Sequence, residues 1–173
     1  DPTPAADEVV VRVRACGVNR LDLWFEQGDL PTPVALPRIG GCEAAGEILS
    51  LGVDVDEWRI GDRVAVQSNL FCGTCEFCLR GEDSICLNGK LLGIQCDGGF
   101  AEQVCVPARC VVALPEAVSF ETSAALTLAG STAMHMLTDR AEVRAGDWVL
   151  VIGASSGVGS AAIQIARSRG ARV

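Results

Sequence analysis

Basic residues, aromatic side chains and long apolar runs are all scarce in this sequence. Its 173 residues include 14 Lys and Arg against 22 Asp and Glu, for a formal net charge of −8. Nothing forms a basic stripe that could neutralise phosphates, so we expect no nucleic-acid partner. No apolar run approaches the roughly 18 residues of a membrane span, so we expect no membrane partner. The first residues, 1–8, carry no export signal, which predicts a cytoplasmic protein.

Cysteine, by contrast, is abundant, and its pattern favours a reducing compartment. The chain has nine cysteines, an odd number, and 49% of its residues are hydrophobic. Disulfide frameworks are typical of small secreted domains that have too few hydrophobic residues to build a core. The high hydrophobic content of this chain therefore argues against such a framework. We therefore expect these cysteines to be metal ligands or small buried hydrophobes.

Four cysteines occur within fifteen residues, in the pattern C-x2-C-x2-C-x7-C. Four thiolates on a short loop suit tetrahedral zinc, although ligand type alone leaves an iron–sulfur cluster open. A metal closed in by four sulfurs has no position for water or substrate, so we expect one structural Zn²⁺ per chain rather than a reaction centre. The predicted ligands are Cys72, Cys75, Cys78 and Cys86.

The first two thirds of the chain read as short strands. Residues 8–15 alternate apolar and polar side chains, which predicts a half-buried strand. Further strands are predicted at 44–50, 62–67 and 99–113, the last broken at Pro107 because proline cannot donate to a ladder. Glycine and proline between these segments favour antiparallel strands in a barrel-like arrangement.

The character of the sequence changes near residue 115, from strands to an α/β pattern. Ser119 is a predicted N-cap for a helix over 119–137. A continuous apolar run at 147–153 then predicts a strand covered on both faces, followed by a glycine turn and an Ala-rich helix. This is the opening of a doubly wound parallel sheet, and we place the domain boundary between residues 1–117 and 118–173.

The glycine turn, "GASSGVG", predicts a dinucleotide site. Gly153, Gly157 and Gly159 permit a tight turn and close approach of a pyrophosphate to the helix N-terminus. A packing turn with no ligand remains the alternative. The residue that distinguishes NAD from NADP is expected about 20 residues past the turn. That position lies beyond Val173, and we expect the sequence to be a fragment.

These features together resemble the medium-chain dehydrogenase/reductase superfamily, the zinc alcohol dehydrogenase and quinone oxidoreductase group. The resemblance implies a GroES-like β-rich catalytic domain, a Rossmann domain, an active site in the cleft between them, and a structural zinc lobe at the four cysteines. It implies a homo-oligomer, dimer or tetramer, for the full-length protein. The motifs that carry it are "ACGVNRLDLW" (15–24), "GGCEAAGEI" (40–48), "IGDRVAV" (60–66), "DGGFAEQVCVP" (97–107) and "AGDWVLVIGASSGVGSAAIQIA" (145–166).

The residues that hold the catalytic zinc of alcohol dehydrogenases are not matched. The resemblance places Asn19, Cys42 and Leu128 at the three ligand positions, and Leu21 at that of the proton-relaying hydroxyl. We therefore predict a cleft without catalytic zinc. Hydride from NADPH or NADH is then best accepted by an electrophile that needs no Lewis acid, such as a quinone or an α,β-unsaturated carbonyl.

Residue roles follow from the same resemblance. Asn19, Cys42, Glu43 and Thr132 are candidate catalytic residues, with turn, core, ion-pair and helix-backbone roles as their alternatives. His135 lies on the same predicted helix face as Thr132 but is left out, because a lone helical histidine is usually structural. The predicted cofactor-binding residues are Arg20, Thr132, Gly153, Ser155, Gly157, Val158 and Gly159.

The sequence offers three alternatives to a quinone or enone reductase. One is a zinc alcohol dehydrogenase with altered ligands that include Cys42 and Glu43. Another is the short-chain dehydrogenase type, which the long β-rich segment before the turn and the absence of tyrosine disfavour. The third, from a different class, is a non-catalytic zinc-stabilised binding or scaffold module.

Overall fold

A computed structural model describes residues 1–31 and 33–173, which form two compact units, Asp1–Ala124 and Ala125–Val173. The first unit is built on β-strands and the second on helices. In the described part of the chain, no helix combines the length and the hydropathy needed to cross a bilayer. Each unit has its own hydrophobic core.

The first unit contains a five-stranded antiparallel sheet and a separate two-stranded sheet. The sheet order is β6-β1-β2-β3-β7, and β4 pairs with β5. The elements are β1 (Glu8–Gly17), α1 (Arg20–Gln27), β2 (Glu43–Leu51), β3 (Arg63–Val66), β4 (Asn69–Leu70), α2 (Glu76–Leu79), β5 (Lys90–Leu91), β6 (Gln103–Pro107), β7 (Val111–Ala113) and α3 (Phe120–Ala124). The predicted antiparallel strands are therefore present, and the predicted 99–113 strand is divided into β6 and β7 by a 3₁₀ turn at Ala108–Cys110.

The core of this unit lies on one face of β1 and its neighbours. Val9 and Val11 are fully buried, as their alternation predicted, and Val10 is buried as well. Strand β1 lies between β2 and β6, with Gly17 opposite Glu43 at the end of the β1–β2 ladder. That pairing brings the residues after β1 beside the residues that begin β2.

Helix α1 was not predicted, although the sequence carries both of its boundary signals. The backbone N–H of Asn19, the N-cap, donates to the Asp22 carboxylate at 2.6 Å. Gly28 ends the helix in the left-handed conformation with φ of 74°, which favours glycine. None of the helical side chains is fully buried, so the apolar periodicity that identifies most helices is absent.

The second unit contains α4 (Ala129–His135), a π-helical segment (Met136–Arg140) and α5 (Gly157–Ser168). The single helix predicted over 119–137 is two helices, α3 and α4, with a turn between them. The Ser131 hydroxyl donates to the carbonyl of Leu128 at 3.1 Å and also to that of Thr127. Such side-chain bonds compete with the helical ladder, and Gly130 adds a second weak helix former.

The predicted strand at 147–153 is present only as a parallel bridge between Trp148 and Arg172. One face, with Val149 and Val151, packs on α5 and its neighbours. The other face is exposed, since Leu150 is 87% exposed. Among the described residues, no element packs against this face, so the prediction that both faces are buried is not met. A parallel ladder needs an adjacent strand, and the described partner segment meets this run at one residue pair.

Candidate functional site

The four predicted metal ligands lie together on the lobe that joins β4 to β5. The sulfur of Cys78 lies 3.5 Å from that of Cys75 and 3.9 Å from that of Cys72, and the Cys75 and Cys86 sulfurs are 3.9 Å apart. A tetrahedron with zinc–sulfur bonds of about 2.3 Å has sulfur–sulfur edges of about 3.8 Å. The cluster therefore has the dimensions of a four-sulfur zinc site.

The charge state of the cluster suits a cation. Backbone and side-chain donors of Thr74, together with the Cys75 N–H at 3.3 Å, lower the pKa of the Cys72 thiol to about 5. Burial raises the pKa of Cys78 to about 12, with the neighbouring Cys75 thiol adding to the shift. At neutral pH the cluster thus combines thiolate and thiol, and a bound zinc ion would release a proton from Cys78.

A second cluster lies in the same unit, where β1 and β2 meet. The Asn19 side-chain amide donates to Glu43 Oε2, with Nδ2 and Oε2 2.7 Å apart, and the same nitrogen lies 3.7 Å from Cys42 Sγ. Glu43 is 3% exposed and Cys42 is fully buried. The structure therefore brings together three of the four predicted catalytic residues.

Two nearby residues hold this cluster in place. A Cβ at Gly17 would lie 2.6 Å from Glu43 Oε2, so only glycine leaves room for the carboxylate there. Asp22 fixes the Asn19 backbone through the 2.6 Å bond described above. No role for Gly17 was predicted, although its position two residues before Asn19 was the available signal.

Cys42 is held as a neutral thiol. Burial is the main cause that raises its pKa to about 12, and the carboxylates of Asp22 and Glu43 act in the same direction. In the described part of the chain, the ligand atoms of Cys42 and Glu43 belong to no group of three or more that lie close together. Within residues 1–31 and 33–173, the lobe is the only set of three or more His, Cys, Asp or Glu ligand atoms that all lie within 4.8 Å of one another. Cys42 and Glu43 thus supply two of the three protein ligands that a catalytic zinc ion needs.

The glycine turn lies in the second unit, at the start of α5. Ser156 is the N-cap: its hydroxyl accepts from the Gly159 N–H at 3.0 Å and donates to the Gly153 carbonyl at 2.8 Å. Gly157 and Val158 follow it, and the first N–H groups of a helix have no partner within the helix. Residues 153–157 are exposed, so a ligand can reach them. This turn fits the pyrophosphate of a dinucleotide.

We expect Gly159→Ala to weaken NADPH and NADH binding by about tenfold or more, because the turn must open to admit a side chain. A Cβ at this position would lie 2.3 Å from the Gly153 carbonyl oxygen. Isothermal titration measures the change. Gly130→Ala is the matched control, since its Cβ would meet only the flexible Leu126 side chain at 3.2 Å. Equal affinities in the two variants would contradict a role for the turn in cofactor binding.

Thr132 and His135 lie on α4 in the second unit. Thr132 is half-buried, and its N–H donates to the Leu128 carbonyl as in a regular helix. His135 Nδ1 lies 2.7 Å from the Asp139 carboxylate, and Arg140 Nε donates to its other ring nitrogen at 3.3 Å. With Nε2 accepting from Arg140 and Nδ1 beside the Asp139 carboxylate, both ring nitrogens of His135 are engaged in hydrogen bonds within its own helical segment.

A pocket of about 470 Å³ opens beside Asn19, where no pocket was predicted. Arg20, a predicted cofactor residue, has its guanidinium carbon 5.8 Å from the centre of the Trp24 ring. Residues 20, 23, 24 and 27 share one face of α1, but Arg20 and Gln27 are polar, so no continuous apolar stripe marks the helix or the pocket in the sequence. The lining residues are Val18, Asn19, Arg20, Leu23, Trp24 and Gln27.

These features define a class of protein: an antiparallel β domain with a four-thiol metal lobe, followed by an α/β unit of the nucleotide-binding type. The family model for the alcohol dehydrogenase GroES-like domain matches residues 5–116. The chain therefore belongs to this family, within the medium-chain dehydrogenase/reductase superfamily. The predicted fold, a GroES-like domain followed by the start of a Rossmann sheet, is confirmed.

Relatives and solved structures agree with this assignment. An alcohol dehydrogenase of Schizosaccharomyces pombe is 38% identical over 171 residues, which are 98% of this chain and 49% of that protein. The structure of an NAD-dependent alcohol dehydrogenase matches with a TM-score of 0.94 and 41% identity, over 99% of this chain and 50% of the other. A cobalt- and zinc-bound alcohol dehydrogenase from Pyrobaculum aerophilum matches with a TM-score of 0.90 and 35% identity, over 98% and 51%. The chain thus spans about half the length of the curated relatives it matches.

Proposed function

We propose that this protein is an NAD(P)H-dependent oxidoreductase that reduces an activated acceptor, a quinone or an α,β-unsaturated carbonyl, without a catalytic zinc ion. The observation that carries the proposal is the 2.7 Å hydrogen bond from the Asn19 amide to the buried Glu43 carboxylate. This bond occupies the position where the superfamily resemblance places a zinc ligand. A hydrogen-bonding site suits acceptors that are already electrophilic.

The Asn19 amide offers a donor for the acceptor oxygen. One of its two N–H groups is held by Glu43, while the other faces Cys42 Sγ at 3.7 Å. Sulfur is a weak acceptor, so a carbonyl oxygen can replace it at little cost. When bound, the reduced nicotinamide supplies a hydride for the β-carbon of the acceptor. A donor fixed in advance then stabilises the negative charge that develops on the acceptor oxygen.

Cys42 is the candidate proton donor in this site. Its high pKa keeps the proton on sulfur at neutral pH, and the enolate left by hydride addition needs one proton at the α-carbon. Glu43 orients the Asn19 amide and holds it in one rotamer. Cys42 has no exposed surface in this structure, so we expect the thiolate to regain its proton from water that enters as the product leaves.

Cofactor and metal binding complete the proposal. Arg20, Thr132, Ser155 and Val158 join the three glycines of the turn as the residues that would hold NAD or NADP. The four cysteines of the lobe would hold one structural zinc ion, which supplies stability and no chemistry. A homo-oligomer remains our prediction for the full-length protein.

The matched pair 3-penten-2-one and 2-pentanone tests the reaction class, because the two ketones differ only in the conjugated double bond. We expect NADPH or NADH oxidation with the enone at a kcat/KM at least about a hundredfold above that for the saturated ketone. Zinc analysis of the same preparation should give about one ion per chain. Comparable rates with both ketones, together with two zinc ions, would contradict the proposal.

A zinc-dependent alcohol dehydrogenase is the second candidate, and the names of the relatives favour it. In that case Cys42 and Glu43 would bind the second zinc ion, and Cys42→Ala would reduce the zinc content from two ions to one. Under our proposal the same variant keeps its single lobe zinc. The measurement therefore separates the two candidates without an activity assay.

A further inference from the structure

Ser68 is a buried polar residue of the first unit, in the segment between β3 and β4, and it is 5% exposed. Its hydroxyl donates to the backbone carbonyl of Cys42, with the two oxygens 2.5 Å apart. Its own carbonyl accepts from the Leu92 N–H at 2.9 Å, which holds the Ser68 backbone from another side. We propose that Ser68 is a positioning residue, which fixes the backbone at Cys42 so that the thiol stays beside Asn19. The inference rests on the role proposed above for Cys42.

The sheet register explains why a side chain makes this bond. The ladder between β2 and β3 runs from Glu47 opposite Arg63 to Ala45 opposite Ala65, and it ends there. Continuing the same register by three residues would place Ser68 opposite Cys42. The serine hydroxyl thus supplies at this position the donor that a backbone N–H supplies inside the sheet. A buried carbonyl without a donor is costly, so the bond favours one orientation of the Cys42 carbonyl.

The backbone bends at Cys42, and the bend decides where the thiol lies. Successive side chains of an extended strand point to opposite faces. Cys42 and Glu43 are successive residues, yet Cys42 Sγ and Glu43 Oε2 lie 3.7 and 2.7 Å from the same Asn19 nitrogen. The bend comes just before β2 begins. Because the peptide unit between the two residues is planar, one bond to its carbonyl orients the chain on both sides of it.

Ser68→Ala removes this bond and tests the inference. In the full-length protein we expect kcat for 3-penten-2-one to fall about tenfold while KM changes by less than about twofold, since a displaced reacting group slows the chemical step more than it weakens binding. Proton transfer should then limit the rate more strongly. The isotope effect of D2O on kcat should therefore rise, and that of C4-deuterated NADPH or NADH should fall. Ser68→Thr keeps the hydroxyl and should restore the parent values.

Two controls separate this effect from a general loss of structure. Ser168→Ala removes an exposed hydroxyl that also donates to a backbone carbonyl, that of Ile165 at 2.8 Å, and it should keep the parent kcat and isotope effects. Labelling with iodoacetamide, followed peptide by peptide, reports the accessibility of Cys42 directly. We expect Cys42 to be labelled about tenfold faster in Ser68→Ala through local opening. Cys110, which is fully buried in the same unit, should keep its rate.

The inference is overturned if Ser68→Ala keeps the isotope effects of the parent protein, or if Ser68→Thr loses as much activity as Ser68→Ala. If the parent protein reduces no enone, the proposed reaction is wrong and the labelling decides. Faster labelling of Cys42 in Ser68→Ala then supports Ser68 as the residue that fixes Cys42, and an unchanged rate overturns it. If Ser68→Ala does not fold, Ser68→Cys takes its place, because a thiol is a weak donor of similar shape and should give a smaller loss of kcat.

Discussion

Cys78→Ser is expected to lose the lobe zinc and a large part of the stability of the first unit. Loss of one of the four sulfur ligands should lower zinc affinity by at least about a hundredfold. Loss of a residue that only hydrogen-bonds to a metal ligand already lowers metal affinity about 10- to 100-fold. At a fixed free zinc concentration this corresponds to about 3 kcal/mol of unfolding free energy. Zinc analysis after dialysis and denaturant unfolding measure the two effects.

The reason lies in the geometry of the lobe. Cys78 is the ligand whose sulfur lies near both Cys72 and Cys75, at 3.9 and 3.5 Å. Serine has the same shape but offers a hard oxygen that binds zinc weakly at neutral pH. The elements of the lobe are short, with α2 spanning only Glu76–Leu79, and none of the α2 side chains is fully buried. Without the metal, little apolar packing remains to hold this part of the chain.

Cys105→Ser is the matched control for this prediction. Cys105 is partly buried and its thiol donates to Glu8 Oε2 at 3.2 Å, a bond that a serine hydroxyl can replace. We expect this variant to keep about one zinc ion per chain. The cofactor affinity of Cys78→Ser should stay within about twofold of the parent protein, since a structural zinc site stabilises the fold without taking part in chemistry. A zinc-free Cys78→Ser protein with unchanged stability would show that the lobe does not depend on metal.

Features formed by residues that are close together along the chain could be predicted from the sequence, and features formed by residues far apart along the chain could not. The four-cysteine cluster was predicted from spacing alone, because its members lie within one short segment. The glycine turn was predicted for the same reason. In both cases neighbouring residues along the chain form the site, so local pattern is sufficient.

The cluster around Asn19 could be predicted only in part. The superfamily resemblance pointed to Asn19, Cys42 and Glu43, but their contact depends on the β1–β2 register that places Gly17 opposite Glu43. No local pattern encodes that register. Helix α1 was missed because its side chains are only partly buried, so hydrophobic periodicity failed where the capping residues would have succeeded.

The division of the predicted 119–137 helix shows that a prediction from local sequence can also fail within one short segment. Its composition is rich in alanine and leucine, which favour a helix, so propensity predicted one continuous element. The hydroxyl of Ser131 instead bonds to the carbonyls of the preceding turn. Side-chain bonds to nearby carbonyls compete with the helical ladder, and sequence propensity does not include this competition.

Asn19→Ser is expected to reduce kcat for 3-penten-2-one by about a hundredfold, because one fixed donor to a developing oxyanion contributes on that order. Serine is chosen because it is as good an N-cap as asparagine, so helix α1 should keep its start. It is too short to replace the amide that reaches Glu43 Oε2 at 2.7 Å. Stopped-flow single turnovers with saturating cofactor measure the chemical step directly.

The control is Asn69→Ser, which shortens an exposed asparagine whose amide bonds only weakly to the Ser84 carbonyl, at 3.4 Å. It should keep the parent kcat. Asn19→Ser should bind NADPH or NADH within about twofold of the parent affinity, since an interaction made only in the transition state affects kcat and not ground-state binding. If Asn19→Ser has the kcat of the parent protein, Asn19 acts as a helix cap and not in catalysis. A loss of kcat that accompanies unfolding would show that the Asn19–Glu43 bond stabilises the fold rather than the reaction.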